Sequence, residues 1–195
     1  MALKVGSGIL RGMALMTPAG LQTRPTSGKT RAAVLDMLQP YLIDAVVMDG
    51  FAGSGAMGIE ACSRGAKHVY FIEKANLPFK ALSHNLELAR QRLAKIQALE
   101  DRATLSSKCQ DLLSLRFNPV APKLFDLIWL DPPYVEAENL LAQCLPMLSS
   151  FLSLNGHIII ESDKSSNIDY EGYKLELIKT KLYGITKIEM FSKLI

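Results

Sequence analysis

The stretch MDGFAGSGAMGIEA, residues 48–61, decides the fold. It leaves the apolar run AVVMD (45–49), which reads as a buried strand, and leads into a helix through Cys62. A strand, a glycine turn and a helix in that order form the opening unit of an open α/β sheet. The turn holds Gly53, Gly55 and Gly58 as a literal G-x-G-x-x-G, in which glycine lets the backbone approach a ligand closely. By that pattern alone the ligand is a dinucleotide.

Asp49 separates two readings. It ends the strand just ahead of the loop. A dinucleotide places its pyrophosphate there, where a carboxylate repels it. S-adenosylmethionine carries a sulfonium and an ammonium and no phosphate, so a carboxylate beside the loop is favourable. Glu73 closes a second strand, HVYFIE (68–73), twenty residues after Gly53, where it can accept hydrogen bonds from ribose hydroxyls. The reading favours S-adenosylmethionine over NAD, with a purely structural tight turn as the plain alternative. Gly53, Gly55, Asp49 and Glu73 are its cofactor residues, with Asp131 further along the chain also counted among them, and Phe51 is placed to pack on the cofactor. Asp111 is placed to accept from the adenine amine; equally, it can cap the turn ahead of LLSL.

The alternation continues downstream. A helix is predicted over 77–99, a strand at ATLSS (103–107), another at LFDLIWLD (124–131), a helix over 137–148 and a fifth strand at GHIIIES (156–162). Short strands separated by helices imply parallel pairing in a doubly wound sheet. The tail differs: YKLELIKTKLYG (173–184) and ITKIEMF (185–191) lie too close together for a crossover helix and predict an antiparallel hairpin on the sheet's edge. The expected fold is α/β, a mostly parallel seven-stranded sheet with a C-terminal antiparallel hairpin, in one domain spanning 1–195. Ahead of it, LKVGSGILRGMAL (3–15) reads as a short β-arm within 1–24, followed by a helix from Thr26 to Leu42 capped by Thr26 or Ser27. This layout is that of a class I, Rossmann-like methyltransferase more than of a dehydrogenase.

The sharpest chemical signal is Asp131-Pro132-Pro133-Tyr134, at the end of the fourth predicted strand. An exocyclic amine on a nucleobase is a weak nucleophile because its lone pair is delocalised. Asp131 can accept one of its N–H bonds and the Pro132 carbonyl the other. Two acceptors favour the tetrahedral, cationic nitrogen that develops during methyl transfer. Tyr134 can stack on a base turned out of its helix or loop, with Pro133 beside it. The plain alternative is a strand terminator, since Asp-Pro-Pro also ends strands well.

Charge distribution points to the partner. The net charge is only +3, but Lys4, Arg11, Arg24, Lys29 and Arg31 precede the first carboxylate, Asp36. A segment of one sign suits phosphates, so Arg11, Arg24, Thr26, Lys29 and Arg31 are candidate RNA contacts. TRPTSGKTR (23–31) is not a phosphate-binding Walker loop: the required first glycine is Thr23, and no strand precedes it. Cys62, Cys109 and Cys144 are an odd number without metal-ligand spacing, and His68, His84 and His157 are isolated, so no metal site is expected. No apolar run is long enough to span a membrane, and a cytoplasmic monomer is the expectation.

These residues resemble the RsmD-type bacterial methyltransferases over nearly the whole chain. GSGILRGMAL resembles that family's N-terminal arm, RPTSGKTRAAVLDML its Arg-Pro-Thr helix, DGFAGSGAMGIEACSRGA its cofactor loop and FIEK its acidic strand end. DPPY resembles its catalytic tetrapeptide and YGITKIEMF its closing hairpin. Gly28 and Ala32 depart from positions that are commonly acidic in the family. The resemblance implies S-adenosylmethionine as donor and N2 of a guanine in 16S ribosomal RNA, position 966, as acceptor, within the small subunit or an assembly intermediate. An adenine-N6 methyltransferase is the alternative within the class. An NAD-dependent oxidoreductase and a non-catalytic RNA-binding module are the alternatives outside it.

Overall fold

The computed structural model describes residues 3–18, 28–96, 98, 101–116, 125–166, 168–170 and 172–194. Helix α1 (Gly28–Leu38) passes through a 3-10 turn (Gln39–Tyr41) to β1 (Val46–Asp49). Then follow α2 (Ala56–Ser63), β2 (His68–Glu73), α3 (Asn76–Ile96), β3 (Thr104–Cys109), β4 (Phe125–Leu130), α4 (Ala137–Ser150) and β5 (Leu152–Asp163). The chain closes with β6 (Leu175–Tyr183) and β7 (Thr186–Lys193). The predicted helix over 26–42 is therefore shorter at its end, because Pro40 enters a 3-10 turn after Leu38. Its predicted cap, Thr26 or Ser27, lies outside the described residues.

One seven-stranded sheet runs in the order β3-β2-β1-β4-β5-β7-β6. The first five strands pair in parallel. β7 is antiparallel to both β5 and β6, so the hairpin's second strand slots in beside β5 and leaves β6 at the edge. β5 starts at Leu152 rather than Gly156, because Leu152 pairs with Phe125 across a register irregularity.

Strand alternation sorts the core into two layers. Val47, Phe71, Leu127, Trp129, Ile159, Ile188 and Met190 face a layer built with α1, α2 and α3. Met48, Ile72, Ile128, Leu130, Ile158, Ile160 and Phe191 face the layer closed by α4. Connections lead from β1 outward to β2 and β3, and from β4 outward to β5. The crevice between the C-terminal ends of β1 and β4 is thus the topological switch point, where open α/β sheets bind ligands.

Residues 3–18 form a tight loop closed by an isolated bridge, Lys4 to Ala14, and the rest of the expected arm over 1–24 lies outside the described residues. Met13 and Val5 anchor it through Val5 N–H to Met13 O (3.0 Å) and Gly12 N–H to Val5 O (2.9 Å). It is fastened to α2 and α3. Ser63 Oγ accepts from Leu10 N–H (2.8 Å), and Glu60 accepts from Gly6 N–H (3.1 Å). The fully buried Asn85 pairs with both backbone groups of Met16, at 2.7 and 2.9 Å.

Candidate active site

Asp49, the last residue of β1, is buried, and its Oδ2 accepts the Gly58 N–H at 3.0 Å. That bond draws the first turn of α2 onto the end of β1. Gly53 (φ +54°) and Gly55 (φ +80°) turn the loop through left-handed backbone, and Gly55 caps α2 in that conformation. A Cβ on Gly58 would lie 2.4 Å from the Phe71 ring, whereas one on Gly53 would meet nothing within 4 Å. The loop is therefore packed on its helix side and open on the other. Glu73 braces that open side from β2: its carboxylate accepts from Gly53 N–H (2.9 Å) and Ala75 N–H (2.7 Å). A carboxylate has about four acceptor positions, so Glu73 keeps capacity for a ligand's hydroxyls.

Asp131 follows the last residue of β4, and the pairing of Leu130 with Ile160 brings it level with Glu161 on β5. Burial holds the Asp131 carboxyl well above its usual range, with the Glu161 and Asp49 charges adding to the effect. The Asp49 carboxyl rises from its ordinary 3.8 to about 7, chiefly by burial, despite the opposing Gly58 hydrogen bond. Three carboxyl groups, Asp49, Asp131 and the buried Glu161, thus converge across β1, β4 and β5. Such a cluster attracts a cation and repels a pyrophosphate. The Gly58 amide, in the first turn of α2 where a dinucleotide's phosphates would be met, already serves Asp49. These two features argue against the NAD reading. Glu161 escaped the sequence reading of the site; its only signal is an acidic residue at the end of the apolar run GHIII.

Pro132 is buried and Pro133 exposed; Pro133 caps a 3-10 turn over Tyr134–Glu136, with Glu136 N–H donating to Pro133 O (3.0 Å). Tyr134 is 41% exposed. Partial burial raises its phenol pKa, and a side-chain hydrogen bond with Thr186 of β7 opposes that rise. Phe51 is half-buried against the α4 layer, and Ile72 is buried within it. Asp111 takes the capping role: its Oδ1 accepts from Leu113 N–H at 2.9 Å at the start of a 3-10 turn.

A family model described as Conserved hypothetical protein 95, the RsmD family, matches residues 3–192. The chain belongs to this family of RsmD-type methyltransferases. It is 29% identical over 192 residues to Ribosomal RNA small subunit methyltransferase D of Haemophilus influenzae, covering 97% of this chain and 93% of that one. The protein of the same name from Escherichia coli K12 is 25% identical over 193 residues, covering 98% and 90%. The solved structure of yhhF from Escherichia coli matches with a TM-score of 0.73 at 25% identity, covering 100% of this chain and 99% of that one. The sheet order and these neighbours identify the fold as the Rossmann-like class I methyltransferase fold.

Within this RsmD-type chain, one candidate RNA contact needs correction. Arg31 is only 5% exposed; its Nε donates to Glu60 at 2.9 Å and its Nη2 to Lys4 O at 2.8 Å. Glu60 also meets Arg64 at 3.3 Å, and Arg64 meets Asp36 at 2.6 Å. Arg31 is thus committed to a buried network joining the arm, α1 and α2, and is withdrawn from any phosphate surface. Arg11 and Lys29 are exposed. Arg24 and Thr26 lie outside the described residues. Among the described residues no group of His, Cys, Asp and Glu is arranged to hold a metal, and no helix is long and apolar enough to cross a membrane.

Proposed function

We propose that the protein transfers a methyl group from S-adenosylmethionine to the exocyclic N2 of a guanine, position 966, in 16S ribosomal RNA of the small subunit or its assembly intermediate. The observation that carries this reading is the meeting of Asp131-Pro132-Pro133-Tyr134 with the Asp49-anchored glycine loop at one switch point. The names of the Haemophilus influenzae and Escherichia coli relatives support the ribosomal substrate.

The donor set fits S-adenosylmethionine. Asp49 offers a buried carboxylate to a cationic centre, Gly53 leaves the loop open, and Glu73 faces that opening from the adjacent strand. Phe51 lies along the α4-side wall. When bound, S-adenosylmethionine supplies a methyl group on a sulfonium, an already activated leaving group. The chain's own task is alignment. Asp131 accepts one N–H of the target amine and the Pro132 carbonyl accepts the other, holding the nitrogen lone pair toward the loop. The exposed Tyr134 ring is available to stack on the flipped base. Asp131 is the stronger acceptor when ionised. The product ammonium is acidic, and solvent can take its proton.

The test is incubation with unmodified small-subunit ribosomal RNA, as naked transcript and as assembled subunits, with isotopically labelled S-adenosylmethionine. Nucleoside mass spectrometry should find N2-methylguanosine at position 966. N6-methyladenosine would shift the reading to the adenine alternative, and no incorporation into either substrate would overturn it.

A further inference from the structure

We propose that the β6 face carrying Lys179, Lys181 and Tyr183 is a docking track for the phosphate backbone of the RNA strand that reaches Tyr134. This rests on the RNA reading above.

β6 is the sheet's edge, and residues 176–182 are all exposed. Lys179 pairs opposite Met190, Lys181 opposite Ile188 and Tyr183 opposite Thr186. Opposed residues in an antiparallel ladder share a face. Met190 and Ile188 belong to the layer containing α1, so both lysines stand on the α1 side, and Tyr183 packs against that same layer. Alternate residues on a strand are about 6.7 Å apart, the scale of one nucleotide step along an extended strand.

The track leads to the active site. Thr186 pairs with Asp163 at the C-terminal end of β5, and its side chain bonds Tyr134. Lys181 therefore lies two residues from Tyr183, which pairs with Thr186 across the hairpin. Exposed Lys29 is in the first turn of α1, whose Val34, Leu35 and Leu38 belong to that same layer. The hairpin's other lysines are taken up by the fold: Lys187 meets Glu189 (3.2 Å) and Ser166 O (2.8 Å), and Lys193 meets Leu152 O (3.2 Å). Neither the Lys179 nor the Lys181 side chain makes a hydrogen bond or ion pair to a described residue. They are positioned to meet an anion from outside.

Lysines also keep edge strands from pairing with one another, so the experiment must separate the two roles. RNA affinity of wild type, Lys179→Gln/Lys181→Gln and the control Lys95→Gln is measured on unmodified small-subunit ribosomal RNA across a salt series, with size-exclusion chromatography alongside. Two lost phosphate contacts should lower the slope of log K against log salt by about 1.4, roughly a 25-fold loss of affinity at 0.1 M salt. Cofactor affinity should not move, and Lys95→Gln should match wild type. An unchanged slope, with or without new self-association of the double variant, overturns the proposal. If wild type itself neither binds nor methylates the RNA, the underlying reading fails instead.

Discussion

Asp49→Asn should make the protein more stable at pH 8 and a poorer cofactor binder. The carboxyl is buried and its pKa rises from 3.8 to about 7 on folding. At 1.36 kcal/mol per pH unit, keeping it ionised in the folded state at pH 8 costs on the order of 4 kcal/mol. The sign follows from proton binding. Between about pH 4 and pH 7 the folded state holds the proton and the unfolded state does not, so this group's contribution to stability falls as pH rises through that window and is flat above it. Asparagine removes the titration, and its Oδ1 can still accept the Gly58 N–H bond that closes the loop. Urea denaturation of both proteins from pH 4 to pH 8 should show the variant's advantage growing from near zero to a few kcal/mol. Calorimetry at pH 8 should show S-adenosylmethionine binding weakened by roughly 10- to 100-fold, the worth of one charge-assisted contact. In wild type that affinity should climb with pH toward a plateau above about 7, and in the variant it should be flat. A stability difference of constant size across the pH range, or a variant with undiminished cofactor affinity, would refute the argument that Asp49 is held at energetic expense for a cation.

Other positions give independent checks. Asp131→Ala should abolish methyl transfer while calorimetry finds cofactor affinity nearly unchanged; retained turnover removes Asp131 from its role. Glu60→Gln takes the shared carboxylate from Arg31 and Arg64 and should cost about 3 kcal/mol in denaturant unfolding, whereas a loss under 1 kcal/mol would mean the network is relaxed by water. Gly8→Ala places a Cβ 1.8 Å from Ser63 O at a φ of +77°, so hydrogen exchange of residues 3–15 should accelerate by at least tenfold, and unchanged protection would show that the arm is not held through Ser63.

What was legible in the sequence was local. The glycine loop after AVVMD and the Asp131 tetrapeptide each carry their backbone requirement within a few residues, and the structure places both at strand ends. The closing hairpin was legible because Tyr183-Gly184 leaves no room for a crossover; its insertion was not. Whether β6 or β7 lies beside β5 depends on which strand buries both faces, and only β7 does, with Ile188, Met190 and Phe191 against both layers. Glu161 carried no motif, since its meaning comes from Asp131 on a neighbouring strand. Arg31 read as an RNA contact because charge along a sequence does not reveal its partner, here Glu60, 29 positions away.

That misreading bears on how an RNA-directed arm would work. With Arg31 and Arg64 both turned inward on Glu60, the start of α1 contributes less surface charge than its sequence suggests, and more rigidity. Asn85 extends the same logic to the cofactor side. Its amide oxygen accepts from Met16 N–H, while its amide nitrogen donates to Met16 O and to Ser54 O of the glycine loop, the last at 2.9 Å. One buried side chain therefore fixes the exit of the arm and the loop that Asp49 anchors, using both of its donors and its acceptor. An arm held this way cannot shift relative to the pocket without breaking hydrogen bonds made by a fully buried side chain. On the proposed reading, that rigidity sets the distance between the RNA backbone and the methyl-transfer pocket. It also leaves electrostatic capture of the RNA to groups the fold does not consume: Arg11, Lys29, Lys179 and Lys181.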